Sequence, residues 1–296
     1  MLTPRRAAPP TGLRFLHIPK TGTSFIITLR NQLDACKHKD ISCMGAAGGG
    51  LWHFEHSKKE KVYSSMFFEK GPPGFDPLCG GNLVACKWGT YHKFYERDFQ
   101  ANNPSFAYVT LIREPVSQTI SMAGWKCPSL AEAGDAGWRE CLDSAWLDKK
   151  YPGNFSTWHD AQTKSLAGIN FNRLTKLNEV NLTTALNNLL KLDFFGVTDR
   201  WTESICLFHA TFGGEPRPSQ FLNVRPGHSP SAPAWVVERV RANTVWDRRL
   251  YAAGAAAFQC RVDAVLASDR AASYTACVQK HSAKDAGTPG ELGRTG

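Results

Sequence analysis

Pro19-Lys20-Thr21-Gly22-Thr23-Ser24 brings one ammonium, three hydroxyls and a glycine together within six residues. A helix N-terminus offers free backbone N–H groups and the positive end of the helix dipole, so such a set placed there grips phosphate or sulfate. Gly22 lets the backbone come close to the anion. The ATP-type loop G-x-x-x-x-G-K-S/T carries its lysine after the second glycine, whereas Lys20 precedes Gly22 and no upstream glycine completes the pattern. A nucleoside triphosphatase is therefore disfavoured.

A second anion set lies about ninety residues downstream. Arg113 presents a guanidinium fork able to bind two oxygens, and Ser121, eight residues later, adds a hydroxyl from the face of the following helix. Two residues between these sets could handle a proton. His92 has the right intrinsic pKa for a general base, and Lys87 could serve only with a strongly lowered one.

The elements that must position these groups follow from periodicity. The apolar run beginning at Leu13 reads as a strand that stops in the hexapeptide, and Phe25, Ile26, Leu29 and Leu33 recur at helical spacing after it. Leu83–Cys86 reads as a short buried strand ending near Lys87, and Phe106–Ile112 as another ending at Arg113. Pro115 suits the first position of the next helix. His159–Ala167 reads as a helix, Leu182, Leu186, Leu189 and Leu190 as an apolar stripe, Phe194–Val197 as a strand, and Trp201 onward as a helix carrying Ile205, Leu207, Phe208 and Phe212. A long helix follows from Trp246 to about Leu266, with Leu250, Gly254, Phe258, Val262 and Leu266 inward. Strands alternating with helices predict an α/β class with a central, mainly parallel sheet flanked by helices. Ligands of such sheets bind at the C-terminal ends of the strands, where Lys20, Lys87 and Arg113 would converge.

A chain of 296 residues, 42% hydrophobic, suits one domain over residues 13–280, with a flexible segment at 1–12, insertions at about 34–82 and 125–158, and a disordered tail at 281–296. The formal net charge of +9 favours an anionic ligand, but the basic residues are scattered, so nucleic acid is not the expected partner. His53 and His56 stand without a further ligand cluster and read as surface residues, so no metal is expected. Nine cysteines without a C-x-x-C pair point to disulfides in an oxidising compartment. Local pairing would join Cys36 to Cys43, Cys79 to Cys86, Cys127 to Cys141 and Cys260 to Cys277, leaving Cys206 as the odd thiol. The sequons at Asn154 and Asn181 fit the same compartment. Met1–Gly12 has no apolar signal region and no run reaches a membrane span, so a trimmed lumenal domain or one lacking its targeting segment is expected.

The first loop resembles the 5′-phosphosulfate loop H-I-x-K-T-G-G/T-T/S-T/S of membrane-anchored glycan sulfotransferases, and Leu111-Ile112-Arg113-Glu114-Pro115-Val116 with Ser121 resembles their 3′-phosphate motif L-R-D/E-P-V-x-R-x-x-S. The nearest likeness is to the heparan sulfate 6-O-sulfotransferase group. Gln162–Gly168 is similar to that group's N-x-Q-x-R/K-x-L-A segment, Phe194–Arg200 to its F-F-G-L-T-E, and Asn223-Val224-Arg225 stands at its N-I/V-T/R turn. The resemblance implies a P-loop-like sulfotransferase fold and transfer from 3′-phosphoadenosine 5′-phosphosulfate to a hydroxyl of an acidic or neutral glycan. It also implies a Golgi-lumenal enzyme held to the membrane through a segment absent from this chain. Lys20, Thr21, Gly22, Thr23 and Ser24 would bind the donor's 5′ end, and Arg113, Ser121 and Arg225 the rest of the nucleotide. Lys20 would also stabilise the leaving oxygen.

Two departures stand out. Ser117-Gln118 replaces the usual x-R, removing a cation near the 3′-phosphate, and Ala85-Cys86-Lys87 stands where the group presents its catalytic histidine. Either His92 or Lys87 would then be the base. The second departure also raises an alternative, a catalytically weak or inactive member that binds nucleotide or sulfated glycan. A kinase is opposed by the lysine placement and by the lack of a magnesium-binding acid at a strand end.

Overall fold

The computed structural model describes residues 12–22, 25, 95, 106–127, 130–143, 159–171, 174–221 and 231–285. Among the described residues three strands form one parallel sheet: β1 (Gly12–Phe15), β2 (Phe106–Ile112) and β3 (Phe194–Val197), in the order β1-β2-β3. Phe15 pairs with Val109, and Ile112 pairs with Val197. The β2 side chains from Ala107 to Ile112 are all buried, as a parallel central strand covered on both faces requires. The C-terminal ends of β2 and β3 lie level. The chain leaving β1 therefore climbs beside the last residues of β2, with the Leu16 N–H donating to the Val109 carbonyl at 2.8 Å.

The helices are α1 (Pro115–Lys126), α2 (Leu130–Asp143), α3 (Ala161–Leu166), α4 (Glu179–Lys191), α5 (Trp201–Phe212), α6 (Ala234–Asn243), α7 (Val245–Leu266) and α8 (Ala271–Asp285). α1 starts on Pro115, with both Glu114 carboxylate oxygens accepting from Val116 and Ser117 N–H groups. α4 starts on a reciprocal cap in which Asn178 and Asn181 each accept the other's N–H at 3.0 Å. The Asn181 sequon is thus part of a helix rather than of a surface turn.

The main core joins the sheet to α4, α5, α7 and α8. Phe25, Phe194 and Phe208 stack and cross at ring separations of 5.3 to 6.2 Å, all fully buried. Leu250, Gly254, Phe258 and Val262 make the inward stripe of α7, as their spacing predicts, but Leu266 is exposed. At Gly254 α7 packs tightly on the sheet: a Cβ there would sit 2.6 Å from Ile112 Cδ1. A second core gathers α1, α2 and α6 around the buried Trp138.

Several expectations need correction. The helix expected from His159 begins at Ala161, because Asp160 adopts left-handed backbone, φ 55°. Leu190 lies on the solvent side of α4. α8 continues to Asp285 with His281 buried, so the tail boundary drawn from composition at 281 falls inside a helix. The Cys127–Cys141 disulfide forms as its spacing suggests, but Cys206 of α5 pairs with Cys277 of α8 and leaves Cys260 as an exposed thiol. The reason is rotational: Cys277 faces α5, while Cys260 lies on the outer face of α7, away from its inward stripe. The remaining cysteine pairs lie outside the described residues, as do the strand expected at Leu83–Cys86 and all but Phe25 of the helix expected after the first loop. Among the described residues no helix is long and apolar enough to cross a membrane.

The disulfide between α5 and α8 closes a separation of 71 residues, so converting both Cys206 and Cys277 to alanine should cost about 2–4 kcal/mol in urea unfolding. Peptide mapping without reductant should recover Cys206 linked to Cys277. Recovery of Cys260 linked to Cys277 instead would overturn the pairing.

Candidate anion site at the strand ends

Residues 16–22 follow β1, and the polar groups of this loop are held from several directions. The Ile18 carbonyl accepts the Thr21 hydroxyl at 2.9 Å, the Pro19 carbonyl the Gln118 side-chain amide of α1 at 2.7 Å, and the Lys20 carbonyl Arg113 Nη1 at 3.2 Å. Thr198, just after β3, has its hydroxyl within reach of both the Thr21 carbonyl (2.9 Å) and the Ile112 carbonyl (3.0 Å), so one donor stands between the loop and the end of β2. The Gly22 carbonyl accepts the Phe25 N–H at 3.0 Å. Five successive carbonyls are therefore taken up by protein donors. The N–H groups of Thr21 and Gly22 meet no acceptor among the described residues.

Backbone shape accompanies this bonding. Lys20 has φ 60° and Gly22 φ 111°, and alternation of left-handed with ordinary backbone turns successive N–H groups toward one side, as in an anion nest. Gly22 is required twice over: its φ is unfavourable for an L side chain, and a Cβ would lie 2.5 Å from Leu111 Cδ1. Thr21 is fully buried, which makes its hydroxyl a tie for the loop and not a ligand for the anion, contrary to the role expected for it.

Arg113 emerges directly after β2, half-buried. Its backbone N–H donates to Gln162 Oε1 at 2.9 Å, and its carbonyl accepts from Gln162 Nε2 at 2.8 Å. Of its side-chain donors, only Nη1 is used among the described residues, on the Lys20 carbonyl. Burial lowers the Arg113 pKa, against which the carboxylates of Asp199 and Glu114 act to raise it. The cation is thus partly desolvated, with most of its fork uncommitted. Asp199 accepts the Glu114 N–H at 3.0 Å and the Tyr251 hydroxyl at 2.9 Å, tying β3's end to α1 and α7. The N-terminus of α1 is already filled by the Glu114 carboxylate, so the dipole there is compensated from within. Ser121 is buried on α1, one turn beyond Gln118 and on the same side of the helix.

Gln118 occupies the position where an arginine was expected. Its buried amide holds the Pro19 carbonyl instead of presenting a charge. Thr23, Ser24, Lys87, His92 and Arg225 lie outside the described residues, so the structure brings together Lys20, Gly22 and Arg113, with Ser121 on the adjoining helix.

Behind Arg113 lies a buried acidic pair that sequence reading missed. Asp247 of α7 accepts the N–H groups of Gln162 (3.1 Å) and Thr163 (2.6 Å) and the Thr163 hydroxyl (2.7 Å), capping α3. Asp160, preceding α3, accepts the Asp247 N–H at 2.8 Å and so caps α7. Two helix N-termini exchange carboxylates. Burial, and then the Asp247 charge, push the Asp160 carboxyl up to about 7, and burial also raises Asp247 against its hydrogen bonds from Thr163 and Gln162. Lys164, itself buried, has its pKa lowered by burial, with both carboxylates opposing. The sequence reading ran the helix through Asp160 from His159, and the partner of Asp160 lies 87 residues away.

Compared with known proteins, the chain matches no family model and no curated relative.

The raised Asp160 pKa sets a pH dependence. Unfolded, this carboxyl titrates near 3.8 and folded near 7, so the stability it contributes is complete below about 3.8 and is lost as pH rises to 7. Asp160→Asn keeps the capping oxygen and tolerates left-handed backbone. It should flatten that limb and exceed the wild type at pH 8 by about 1–3 kcal/mol in urea unfolding, with the difference vanishing near pH 4. An unchanged slope would contradict a folded Asp160 carboxyl held near 7 by burial and the Asp247 charge.

Proposed function

We propose that the protein is a sulfotransferase with a P-loop-like sulfotransferase fold, moving a sulfuryl group from 3′-phosphoadenosine 5′-phosphosulfate to a hydroxyl of a glycan. The observation that supports this most is the bonding of residues 18–22, where five carbonyls are drawn into the protein and the Thr21 and Gly22 N–H groups are left for an anion. Arg113 stands one hydrogen bond away from that loop with donors to spare. Two anion-binding groups in contact suit a ligand with phosphate at both its 5′ and 3′ positions. The donor supplies an activated sulfur–oxygen bond on its 5′-phosphate.

The chain's own residues would divide the work of an in-line displacement. The Thr21 and Gly22 amides hold the 5′ anion, and the Lys20 ammonium offsets the charge that grows on the oxygen released as the sulfur–oxygen bond breaks. Arg113 and Ser121 hold the 3′-phosphate, and Arg225 belongs to the same nucleotide set. The acceptor hydroxyl forms the new bond to sulfur and gives its proton to His92 or Lys87. No metal enters this scheme. The two disulfides among the described residues suit a protein that matures in an oxidising compartment, in keeping with a place in the Golgi lumen.

Arg113→Ala should weaken binding of 3′-phosphoadenosine 5′-phosphate by roughly 1.5–3 kcal/mol in calorimetric titration. Adenosine 5′-phosphate should lose less, only the part due to the released Lys20 carbonyl. Equal losses would remove the 3′ assignment. Lys20→Ala should lower turnover with labelled donor by about 10²–10³-fold while nucleotide affinity changes little. Nucleotide binding without transfer to any desulfated glycan would favour the binding-only alternative.

A further inference from the structure

We propose that Gln162 is the positioning residue that aims the Arg113 guanidinium and so sets the preference for a 3′-phosphate. The inference rests on the assignment of Arg113 to that phosphate. β2 ends at Ile112, so Arg113 is the first residue beyond the ladder and its own peptide groups have no strand partner. Gln162 supplies one. Its side-chain amide accepts the Arg113 N–H and donates to the Arg113 carbonyl, a two-point clamp that imitates one more rung of sheet.

The clamp is rigid because Gln162 is itself held. It is fully buried, and its backbone N–H is fixed by Asp247 at the start of α3. Arg113 is therefore restrained at both ends: its backbone by Gln162, and its Nη1 by the Lys20 carbonyl. A long side chain fixed at both ends has already lost the rotamer freedom that binding an anion would otherwise cost it. The series Asp247–Gln162–Arg113–Lys20 thus joins the acidic pair to the 5′ loop, and the remaining donors of the fork hold one direction.

The test compares 3′-phosphoadenosine 5′-phosphate with adenosine 5′-phosphate in calorimetric titrations of the full chain, alongside thermal unfolding. Gln162→Met, close in size but with no donor and only a weakly accepting sulfur, should lower affinity for the first about tenfold and for the second less than about twofold. Gln162→Glu keeps the acceptor and regains a donor only when protonated. Its 3′-phosphate preference, relative to the wild type at the same pH, should fall at pH 7.5 and recover toward pH 5. If Gln162 were only a packing residue, both nucleotides would weaken together and the Glu variant would show no such recovery. Either result overturns the proposal, as does an unchanged preference in both variants while Arg113→Ala abolishes it. A wild type with no preference for the 3′-phosphate overturns the parent assignment and this inference together.

Discussion

Five consecutive backbone carbonyls, Ile18 to Gly22, must all find donors in a loop that carries almost no regular structure, and much of the described fold is arranged to supply them. The donors come from the loop itself, from α1, from the end of β2 and from the end of β3. Each bond contributes only about 1 kcal/mol net, but a buried carbonyl left without one would cost about 1–3 kcal/mol. The left-handed turn at Lys20 and the open φ of Gly22 are tolerable only because these bonds over-determine the path. With these carbonyls engaged, the Thr21 and Gly22 N–H groups are the loop's backbone donors that meet no acceptor among the described residues, and the proposed anion would use them beside the carboxylates of Glu114 and Asp199.

Electrostatics behind the loop follow the same logic of exchange. Asp160 and Asp247 each cap the helix that the other belongs beside, which places two carboxylates in a dry interior at high cost. The helix dipoles, the Thr163 hydroxyl and the buried Lys164 offset part of that cost, and the raised Asp160 pKa absorbs more by holding a proton. The product is a fixed junction between α3 and α7. Gln162 projects from this junction to Arg113, so the geometry of a surface-facing cation is set by groups that never meet solvent.

How much of this was readable in the sequence depends on the range of the interaction. β3, α1, α5 and α7 follow from apolar spacing, and the Pro115 start and the inward stripe of Leu250, Gly254, Phe258 and Val262 appear where periodicity puts them. That Lys20, Gly22 and Arg113 lie together was expected from the convergence of the strand ends, and Arg113 Nη1 does reach the Lys20 carbonyl. Thr21 was misread, since whether a hydroxyl faces a ligand or ties its own loop depends on burial. Gln118 read as a lost cation, yet its amide holds Pro19, 99 residues away in sequence. Thr198 and Gln162 were noticed only as members of family-like segments and Asp247 not at all, because their bonds run across separations of 49 to 177 residues. α6 and α8 were missed for a different reason: the apolar residues of α6 crowd into its first turn and those of α8 are mostly alanine, and the two helices are held by tertiary contacts to Trp138 and Cys206.

The central claim is that the Thr21 and Gly22 amides are presented to an anion by a loop whose carbonyls are all engaged. Following the amide resonances of an isotopically labelled protein during titration with 3′-phosphoadenosine 5′-phosphate tests this most directly. The account predicts large, saturating downfield shifts of the Thr21 and Gly22 N–H signals, with a common dissociation constant, and small shifts for residues of α2 and α6. Saturable binding that leaves both signals in place while moving resonances elsewhere would show that the anion sits on other groups and would contradict the account.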